Sequence, residues 1–504
     1  MGSTSPHGKR VSRAVQPNPK RIVVCCDGTW QSATSLDPTK GASSNVARLC
    51  RVLAKAGVDK NNKVWQQQVY YDAGVGTGDI TDFDQIREGA LGVGLAENVV
   101  EAYNFIANNY SPGDELFFFG FSRGAYTVRA AAGLVGEIGV LEPASLPSFI
   151  QHYHNYMHTK SDHPTTFSTF EPWVEYVKAN LDCVIETYDK VTIQVIGAWD
   201  TVGSLGVPEV GHFGFKHKAS TKAYQFYDTD LNDRIKHAYQ ALALDERRSA
   251  FSPSLWKLKS DNTTTKLIQC WFPGAHINVG GGSSLDMKGN LKEEQLASIT
   301  YAWMLDRIRP HLAFSETQLE EQFLPFDVLA DTKSPQTPLS PAKILWETVK
   351  RKTLPTGYAK GTINNSFTFM YRLLGSPVDR TPNAYHDPNA GEKTNERIHP
   401  SVYYRQLASL RHNQEVYEPA AMRGWVREFE KDGIDEKGRK CQGWMWKKYK
   451  DSSKKEVESQ LWEFEIQAEL EDSLEYRLIE NSWVENIHKL VMKAWKIEPD
   501  SSSS

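Results

Sequence analysis

The pentapeptide Gly120-Phe121-Ser122-Arg123-Gly124 has the spacing G-x-S-x-G and stands between an apolar run and an alanine-rich stretch. This context predicts a strand, a sharp turn and a helix, in which the flanking glycines let the backbone bend and the serine hydroxyl points away from the sheet. We predict that Ser122 is a nucleophile and that the backbone N–H of Arg123 donates to a developing negative charge. A glycine-rich turn without catalytic function is the structural alternative.

A serine hydroxyl needs a base to remove its proton and a carboxylate to orient that base. Two residues downstream of Ser122 have the required types and follow predicted strands: Asp200 after 191–198, and His276 after 267–272. We therefore predict a Ser122, His276 and Asp200 triad. As purely structural alternatives, Asp200 can cap a helix or close a turn, and His276 can be a hydrogen-bonded loop residue.

The segment Asp27-Gly28-Thr29 follows the first apolar run, 22–26, and is the candidate for the second donor to the oxyanion. We expect that donor to be the backbone N–H of Gly28 or Thr29. The Asp27 side chain is expected to close an Asx turn, with a functional carboxylate as the alternative.

Two further groups of residues compete for a functional assignment. His237 and Asp245 lie close together in the chain, and apolar spacing over 234–244 predicts a helix there, so we assign both residues supporting or structural roles. The glycines at 74–78 either line the same cleft or form a flexible turn. They lack the full G-x-G-x-x-G fingerprint, which makes nucleotide binding the weakest alternative.

Short apolar runs alternate with helix-like segments from residue 21 to about 310, and this alternation is typical of an α/β domain with a mostly parallel sheet flanked by helices. Strands are predicted at 22–26, 64–71, 115–119, 191–198 and 267–272, and helices at 96–109 and 123–136. The prolines of 331–342 and 375–400 indicate loops.

These patterns divide the chain into four parts. We predict a disordered N-terminal segment (1–20), an α/β catalytic domain (21–310), an insertion or cap-like region with Pro-rich loops (311–422) and a Trp-rich, largely helical C-terminal extension (423–504). The tryptophans of the last part are expected to pack in a core, with a lid or an interface with lipid as the alternatives.

Composition sets limits on the partners of the protein. Its 504 residues carry 58 basic and 62 acidic side chains, a net charge of -4, which gives no electrostatic case for nucleic-acid binding. No run of about 18 apolar residues is present, so no transmembrane segment is predicted, whereas peripheral membrane contact stays open. Six cysteines, two of them adjacent in an apolar run, favour a reducing, cytoplasmic location.

Seven segments taken in order resemble the catalytic domain of the type VI secretion phospholipase effectors, an α/β-hydrolase family that also includes many uncharacterised fungal proteins. The segments are Cys26-Asp27-Gly28-Thr29-Trp30, Ser44-Asn45-Val46-Ala47-Arg48-Leu49, Gly74-Val75-Gly76-Thr77, Gly120-Phe121-Ser122-Arg123-Gly124-Ala125-Tyr126, Asp200-Thr201-Val202-Gly203, Leu242-Ala243-Leu244-Asp245-Glu246 and Phe272-Pro273-Gly274-Ala275-His276. The resemblance covers about 21–305 and implies an α/β-hydrolase-like fold.

The resemblance also implies roles for individual residues: Ser122 as nucleophile, His276 as base and Asp200 as the acid. Two positions depart from the family pattern. Asn278 stands where the family has a carboxylate two residues after the histidine, and Gln31 stands where asparagine is common. Asn278 is thereby a candidate supporting residue and the main reason to consider reduced activity.

We therefore predict a serine hydrolase that cleaves carboxylic esters, phospholipids or other lipids among them, through an acyl-enzyme. The alternative is a catalytically weak or inactive hydrolase-fold binding protein. The predicted chemistry requires no metal and no organic cofactor. The sequence does not define the acyl chain or the oligomeric state.

Overall fold

The computed structural model describes fourteen stretches of the chain, and every structural statement below concerns these residues: 18–28, 43–74, 90–147, 187–188, 191–202, 231–282, 295–323, 358–359, 361–364, 377–385, 391–411, 416–434, 438–466 and 473–480. The predicted disorder of 1–20 and the prolines of 331–342 lie almost wholly outside them.

Thirteen strands are present in the described residues. In chain order they are β1 Lys20–Cys26, β2 Ala56–Val58, β3 Val64–Asp72, β4 Glu115–Phe121, β5 Val140–Leu141, β6 Thr187–Tyr188, β7 Ile193–Trp199, β8 Ile235–Ala243, β9 Lys266–Phe272, β10 Glu396–Ile398, β11 Trp425–Ile434, β12 Lys440–Tyr449 and β13 Val457–Trp462.

Eight strands form the central sheet in the order β10-β9-β8-β7-β4-β1-β3-β2, and all neighbours are parallel except the edge pair β2 and β3. The central strands are buried on both faces, which explains why β1 and β4 are continuous apolar runs in the sequence. The predicted mostly parallel sheet flanked by helices is confirmed.

Helices cover both faces of this sheet. Those in the described residues are α1 Asn45–Val52, α2 Ala90–Asn109, α3 Arg123–Ile138, α4 His276–Gly280, α5 Gln295–Ile308, α6 Glu316–Phe323, α7 Ser401–Arg411 and α8 Leu474–Glu480. α2 and α3 pack with alternate side chains of the strands in one apolar core, and α1, α5, α6 and α8 pack with the other set in a second core. None of these helices is long and apolar enough to cross a membrane.

The helix predicted over 234–244 is wrong, because this segment is the strand β8. Its alanines and leucine also fit helical spacing, and periodicity does not separate a short buried strand from a buried helix. β8 pairs with β7 on one side and β9 on the other, and residues from Ala238 to Ala243 are consecutively buried. Burial on both faces by the sheet outweighs the helical preference of alanine.

The helical C-terminal extension is also corrected: β11, β12 and β13 form an antiparallel three-stranded sheet, and α8 is the one helix that the structure describes beyond residue 423. The physical reason is the concentration of aromatic residues, as in Trp444-Met445-Trp446, because aromatic side chains suit the pleated, half-buried surface of a strand. Trp446 and Leu461 pack with Trp271 of the main sheet in a third apolar cluster.

The end of the described chain is tied to the helices that cover the central sheet by buried polar contacts. Glu475 accepts from His399 Nε2 (3.0 Å) and from Arg307 Nη1 (3.2 Å). Burial by itself would raise the pKa of Glu475, but the charges of and hydrogen bonds from Arg307 and His399 outweigh it and hold the pKa below its usual range. Asp306 accepts the backbone N–H groups of Leu474 and Glu475 at the start of α8. These contacts fix α8 against α5.

Candidate active site

Ser122 lies at the turn between β4 and α3, with φ 58° and ψ -121°. A non-glycine residue in this region is strained, as expected for a nucleophile held at a sharp elbow. The glycines on either side are required by close packing: a Cβ at Gly120 would lie 2.5 Å from the Gly124 carbonyl oxygen, and one at Gly124 would lie 2.2 Å from the Cys26 carbonyl oxygen. The pentapeptide therefore has the strand, turn and helix context that its spacing predicts.

His276 joins the other two predicted triad residues. Its Nε2 is 2.8 Å from Ser122 Oγ, and its Nδ1 is 2.6 Å from Asp200 Oδ2. Parallel pairing explains the meeting, because β4, β7 and β9 all end at the same edge of the sheet and each of the three residues follows one of these strands. The side chains of all three residues are buried.

The protonation state of His276 follows from its surroundings. Burial between Phe121 and Phe251, whose ring centroids lie 4.7 and 5.0 Å from the imidazole, lowers its pKa, and the hydrogen bond and charge of Asp200 only partly offset this. The neutral ring donates from Nδ1 to Asp200, so Nε2 is left to accept the Ser122 hydroxyl proton. This is the tautomer that a general base requires.

Asp200 is held from three sides. Its Oδ1 accepts the Ala243 N–H (3.0 Å) and Arg380 Nη1 (2.5 Å), while Oδ2 accepts Arg380 Nη2 (2.9 Å) as well as His276. Burial favours the neutral acid, but the charge of Arg380 and the hydrogen bonds outweigh it, so the pKa of Asp200 lies well below its usual range. Asp200 is therefore a carboxylate at neutral pH.

The sequence analysis missed two residues of this site, Arg380 and Glu246. Glu246 Oε2 accepts the backbone N–H of His276 (3.2 Å) and its Oε1 accepts Arg248 Nε (2.8 Å), so a buried carboxylate faces the start of α4. The segment 242–246 is one of those that carry the family resemblance, and this was a signal for Glu246. No local pattern marks Arg380, which lies 180 residues from Asp200.

Asp245 supports the histidine loop without touching the imidazole among the described contacts. Its Oδ2 accepts the Gly274 N–H (2.6 Å) and the Tyr417 hydroxyl (2.7 Å). His237 is on β8 six residues before Ala243, so the rise of a strand places it about 20 Å from the catalytic edge. There its ring stands 4.6 Å from that of His311, and burial lowers its pKa to about 4. The structure thus does not bring His237 to the site.

The first loop approaches the nucleophile closely. A Cβ at Gly28 would lie 3.2 Å from Ser122 Cβ, but the Gly28 N–H donates to Asp27 Oδ1 (2.8 Å). Asp27 Oδ2 also accepts the hydroxyls of Ser44 (2.5 Å) and Tyr71 (2.8 Å), and burial raises the pKa of this carboxyl. Asp27 therefore fixes the loop through the adjacent Gly28 N–H and two hydroxyl groups, and in the described contacts its side chain does not reach Ser122, His276 or Asp200. The predicted Asx turn would involve the N–H of Thr29, which lies outside the described residues.

Two donors to the oxyanion remain from the sequence prediction. Arg123 begins α3, so its N–H has no intrahelical acceptor and points toward the elbow end of the helix. Thr29 lies outside the described residues.

The described part of the chain holds no group of three or more histidine, cysteine, aspartate or glutamate side chains placed to bind a metal ion.

Asn278, the departure from the family pattern, contacts backbone atoms and not the imidazole in the described hydrogen bonds. Its Oδ1 accepts the N–H groups of Ala275 (3.1 Å) and Asn364 (2.9 Å), and its Nδ2 donates to the Thr362 carbonyl (3.1 Å). The buried amide thus closes the start of α4 through Ala275 and joins this helix to residues 362–364. Such a residue holds the histidine helix in place.

Asn278→Asp is expected to lower the free energy of unfolding by about 1–3 kcal/mol at pH 7 and to give no gain in activity. A carboxylate there would face the Thr362 carbonyl with no donor between them. Urea unfolding at pH 7 and pH 5 measures the effect. The loss should be smaller at pH 5, where a protonated carboxyl regains a donor, and equal stability of variant and wild type at pH 7 would contradict this assignment.

The lowered pKa of His276 predicts the acidic limit of activity. A base with a lowered pKa stays neutral at lower pH, so activity is retained below about pH 6.5, the ordinary value for histidine, and is lost as pH falls through the lowered pKa. A profile of kcat/KM against pH tests this. An acidic midpoint above 6.5 would show that His276 is not the desolvated base described here.

The chain is similar to several proteins of known structure, and two of them are described here. A crystal structure of an uncharacterized protein from Pseudomonas aeruginosa aligns with 58% of this chain and 46% of that one, at 16% identity and a TM-score of 0.31. The structure of the Tle1 effector bound to the VgrG spike from the Type 6 secretion system aligns with 71% of this chain and 90% of that one, at 15% identity and a TM-score of 0.33.

A curated relative is the uncharacterized protein YEL023C of Saccharomyces cerevisiae, which is 23% identical over 278 residues. The alignment takes in 50% of this chain and 35% of the yeast protein, so the chain matches about a third of the length of that relative. The family comparison extends over more of the chain. Residues 20–307 match the T6SS phospholipase effector Tle1-like catalytic domain, and because this match spans more than half of the chain, the protein belongs to that family.

Proposed function

We propose that this protein is a serine hydrolase that cleaves carboxylic esters of lipids through an acyl-enzyme on Ser122. The observation that carries the proposal is the continuous hydrogen-bonded line from Ser122 Oγ through His276 to Asp200, with distances of 2.8 and 2.6 Å. Both distances are within the range for hydrogen bonds that move a proton from a nucleophile to a base.

Acylation begins when Ser122 Oγ attacks the ester carbonyl carbon and its proton passes to His276 Nε2. Asp200 stabilises the imidazolium, and the carbonyl oxygen becomes an oxyanion that accepts the N–H of Arg123 and, in this proposal, that of Thr29. The tetrahedral adduct then expels the alcohol, which takes the proton from Nε2. The acyl group is left on Ser122.

Deacylation repeats these steps with water. His276 Nε2 takes one proton from a water molecule, the resulting hydroxide attacks the acyl carbon, and collapse of the adduct returns the proton to Ser122 Oγ and releases the carboxylic acid.

The buried carboxylate of Glu246 stays ionised in this proposal. Burial would raise its pKa, but the positive charge of Arg248 and the hydrogen bonds that Arg248 donates hold the pKa below its usual range. Glu246 therefore has no proton to donate in the reaction, and it accepts a hydrogen bond from the backbone N–H of His276.

The lipid nature of the substrate is proposed from the family, whose description is that of a phospholipase effector. We also propose that the protein works in a reducing compartment such as the cytoplasm and meets lipid peripherally. The free cysteines in the described residues are Cys25, Cys26, Cys50, Cys270 and Cys441, and they form no disulfide with one another.

Labelling with a fluorophosphonate probe tests the catalytic part of the proposal. The folded protein should become covalently modified, and peptide mass mapping should place the adduct on Ser122. A panel of short-chain esters, triacylglycerols and phospholipids then defines the substrate class. A folded protein that takes up no label, or an adduct on another residue, would refute the proposal and favour the non-catalytic alternative.

A further inference from the structure

Arg380 makes the most specific polar contact with the triad outside the triad itself. Its two terminal nitrogens lie 2.5 and 2.9 Å from the two oxygens of Asp200, a two-pronged arrangement that fixes the plane of the carboxylate. Nη2 also donates to the Phe251 carbonyl (2.8 Å). Arg380 is 3% exposed in its side chain and Asp200 is 0% exposed, so this is a fully desolvated ion pair.

The segment that carries Arg380 is anchored on both sides. The Val378 N–H donates to the Arg247 carbonyl (3.0 Å), and this backbone contact holds the segment before Arg380. Asp379 also pairs with the Arg247 guanidinium (2.8 Å), but this pair lies at the surface, where an ion pair adds little to the anchoring. After Arg380, the Tyr385 ring stacks on Trp271 at a centroid distance of 6.0 Å. Residues 377–385 are therefore docked on the loop after β8 and on β9, which keeps the guanidinium at a fixed place beside the triad.

Charged groups of both signs surround the Asp200 and His276 pair. Among the described residues, the neighbouring charges with the largest effect on His276 are Asp200, Glu246 and Arg248, and those with the largest effect on Arg380 are Asp200, Glu246 and Tyr385. Two carboxylates thus meet two guanidinium groups. Removal of the Arg380 charge would leave the negative charge of Asp200 without its neighbouring cation. The pair of Asp200 and His276 would then bind a proton more tightly.

We propose that Arg380 is a positioning residue of this site: it orients the Asp200 carboxylate for His276 and extends the working range of the base to lower pH. The inference rests on the proposed hydrolysis through Ser122. Arg380 acts through Asp200 and, in the described contacts, reaches neither Ser122 nor His276. The region after residue 310, which the sequence left as an insertion, thereby completes the catalytic apparatus.

The rate of fluorophosphonate labelling as a function of pH tests this role, because it reports the base at Ser122 without knowledge of the substrate. Arg380→Gln should shift the acidic midpoint of the labelling rate upward by about one pH unit. It should also lower the plateau rate by roughly tenfold to a hundredfold, since Asp200 loses its orientation. An unshifted midpoint with a merely smaller labelled fraction would reduce Arg380 to a structural role and overturn the proposal.

Arg380→Lys separates charge from geometry and also serves if the glutamine variant does not fold. Lysine keeps the positive charge but cannot bridge both carboxylate oxygens. Its midpoint should stay near that of the wild type while its plateau rate falls, and a wild-type plateau rate would overturn the positioning role.

Asp379→Asn is the matched control. Asp379 is adjacent to Arg380 in the chain, and this substitution removes only the surface ion pair between Asp379 and Arg247. It should leave both the midpoint and the plateau rate unchanged, and an equal shift in this variant would overturn the assignment to Arg380. Failure of the proposed function is a separate outcome: the wild type itself would then take up no label.

Discussion

Ser122→Ala is expected to lower ester hydrolysis by about 10⁶-fold, the loss that follows when the nucleophile of a triad is removed. The structure gives the reason, because Ser122 Oγ is the atom that the His276 base faces at 2.8 Å. The residual rate would come from the oxyanion donors and from substrate binding alone. Hydrolysis of the best ester from the panel and fluorophosphonate labelling measure the effect, and a variant that keeps either activity would exclude Ser122 as nucleophile.

Ser122→Gly is the companion variant, and it separates the role of the hydroxyl from the strain of the elbow. The backbone at Ser122 has φ 58°, a conformation that alanine retains at a cost and glycine adopts freely. Both variants should be inactive. The free energy of unfolding should be about 1 kcal/mol higher for the glycine variant than for the alanine variant. Equal stability of the two in urea would mean that the elbow stores no backbone strain.

The meeting of Ser122, Asp200 and His276 could be predicted from sequence because the signals around these residues are local. A five-residue apolar strand, two glycines and an alanine-rich helix surround Ser122, and the packing of Gly120 and Gly124 explains why this spacing is required. Asp200 and His276 could be placed because residues that follow parallel strands come together at one edge of a sheet. The family resemblance then implied the same roles for these residues.

The errors in secondary structure came from patterns that fit two periods. The alanines of 234–244 fit a helix and a buried strand equally, and pairing with β7 and β9 decides in favour of the strand. In the C-terminal region the tryptophans were expected to pack in a helical core, and the preference of aromatic side chains for strands was missed. Trp446 is buried in β12 while its neighbour Lys447 pairs with Glu430 at the surface of the antiparallel sheet.

Arg380 could not be predicted, since its role depends on tertiary contacts that bring two distant segments together. Neither the proline-rich surroundings of residue 380 nor the residues adjacent to it suggest a buried ion pair. The role of Asn278 also depends on tertiary contacts, and here the sequence suggested a different interpretation. Its identity suggested a weakened site, whereas its three backbone hydrogen bonds indicate a joint between α4 and residues 362–364.

Asp200→Asn is expected to lower kcat by about 10⁴-fold, the size of effect that follows when the triad carboxylate becomes an amide. The amide can present N–H to His276 Nδ1, which favours the tautomer that cannot accept the Ser122 proton. A second effect is specific to this protein, because Arg380 would lose the anion that balances it. Breaking one side of a buried ion pair typically costs about 3–5 kcal/mol, so the variant should also unfold much more readily.

The double variant Asp200→Asn with Arg380→Gln distinguishes these two effects. Removing the orphaned guanidinium should recover part of the lost stability, with a coupling free energy of about 0.5–3 kcal/mol between the two positions in urea unfolding. Activity should not recover, since the carboxylate that fixes the His276 tautomer is still absent. Additive losses of stability would contradict the ion pair, while near wild-type hydrolysis by Asp200→Asn alone would show that another carboxylate orients His276. Glu246 is the residue to change next in that case, because it is the other buried carboxylate that contacts His276, through the backbone N–H at 3.2 Å.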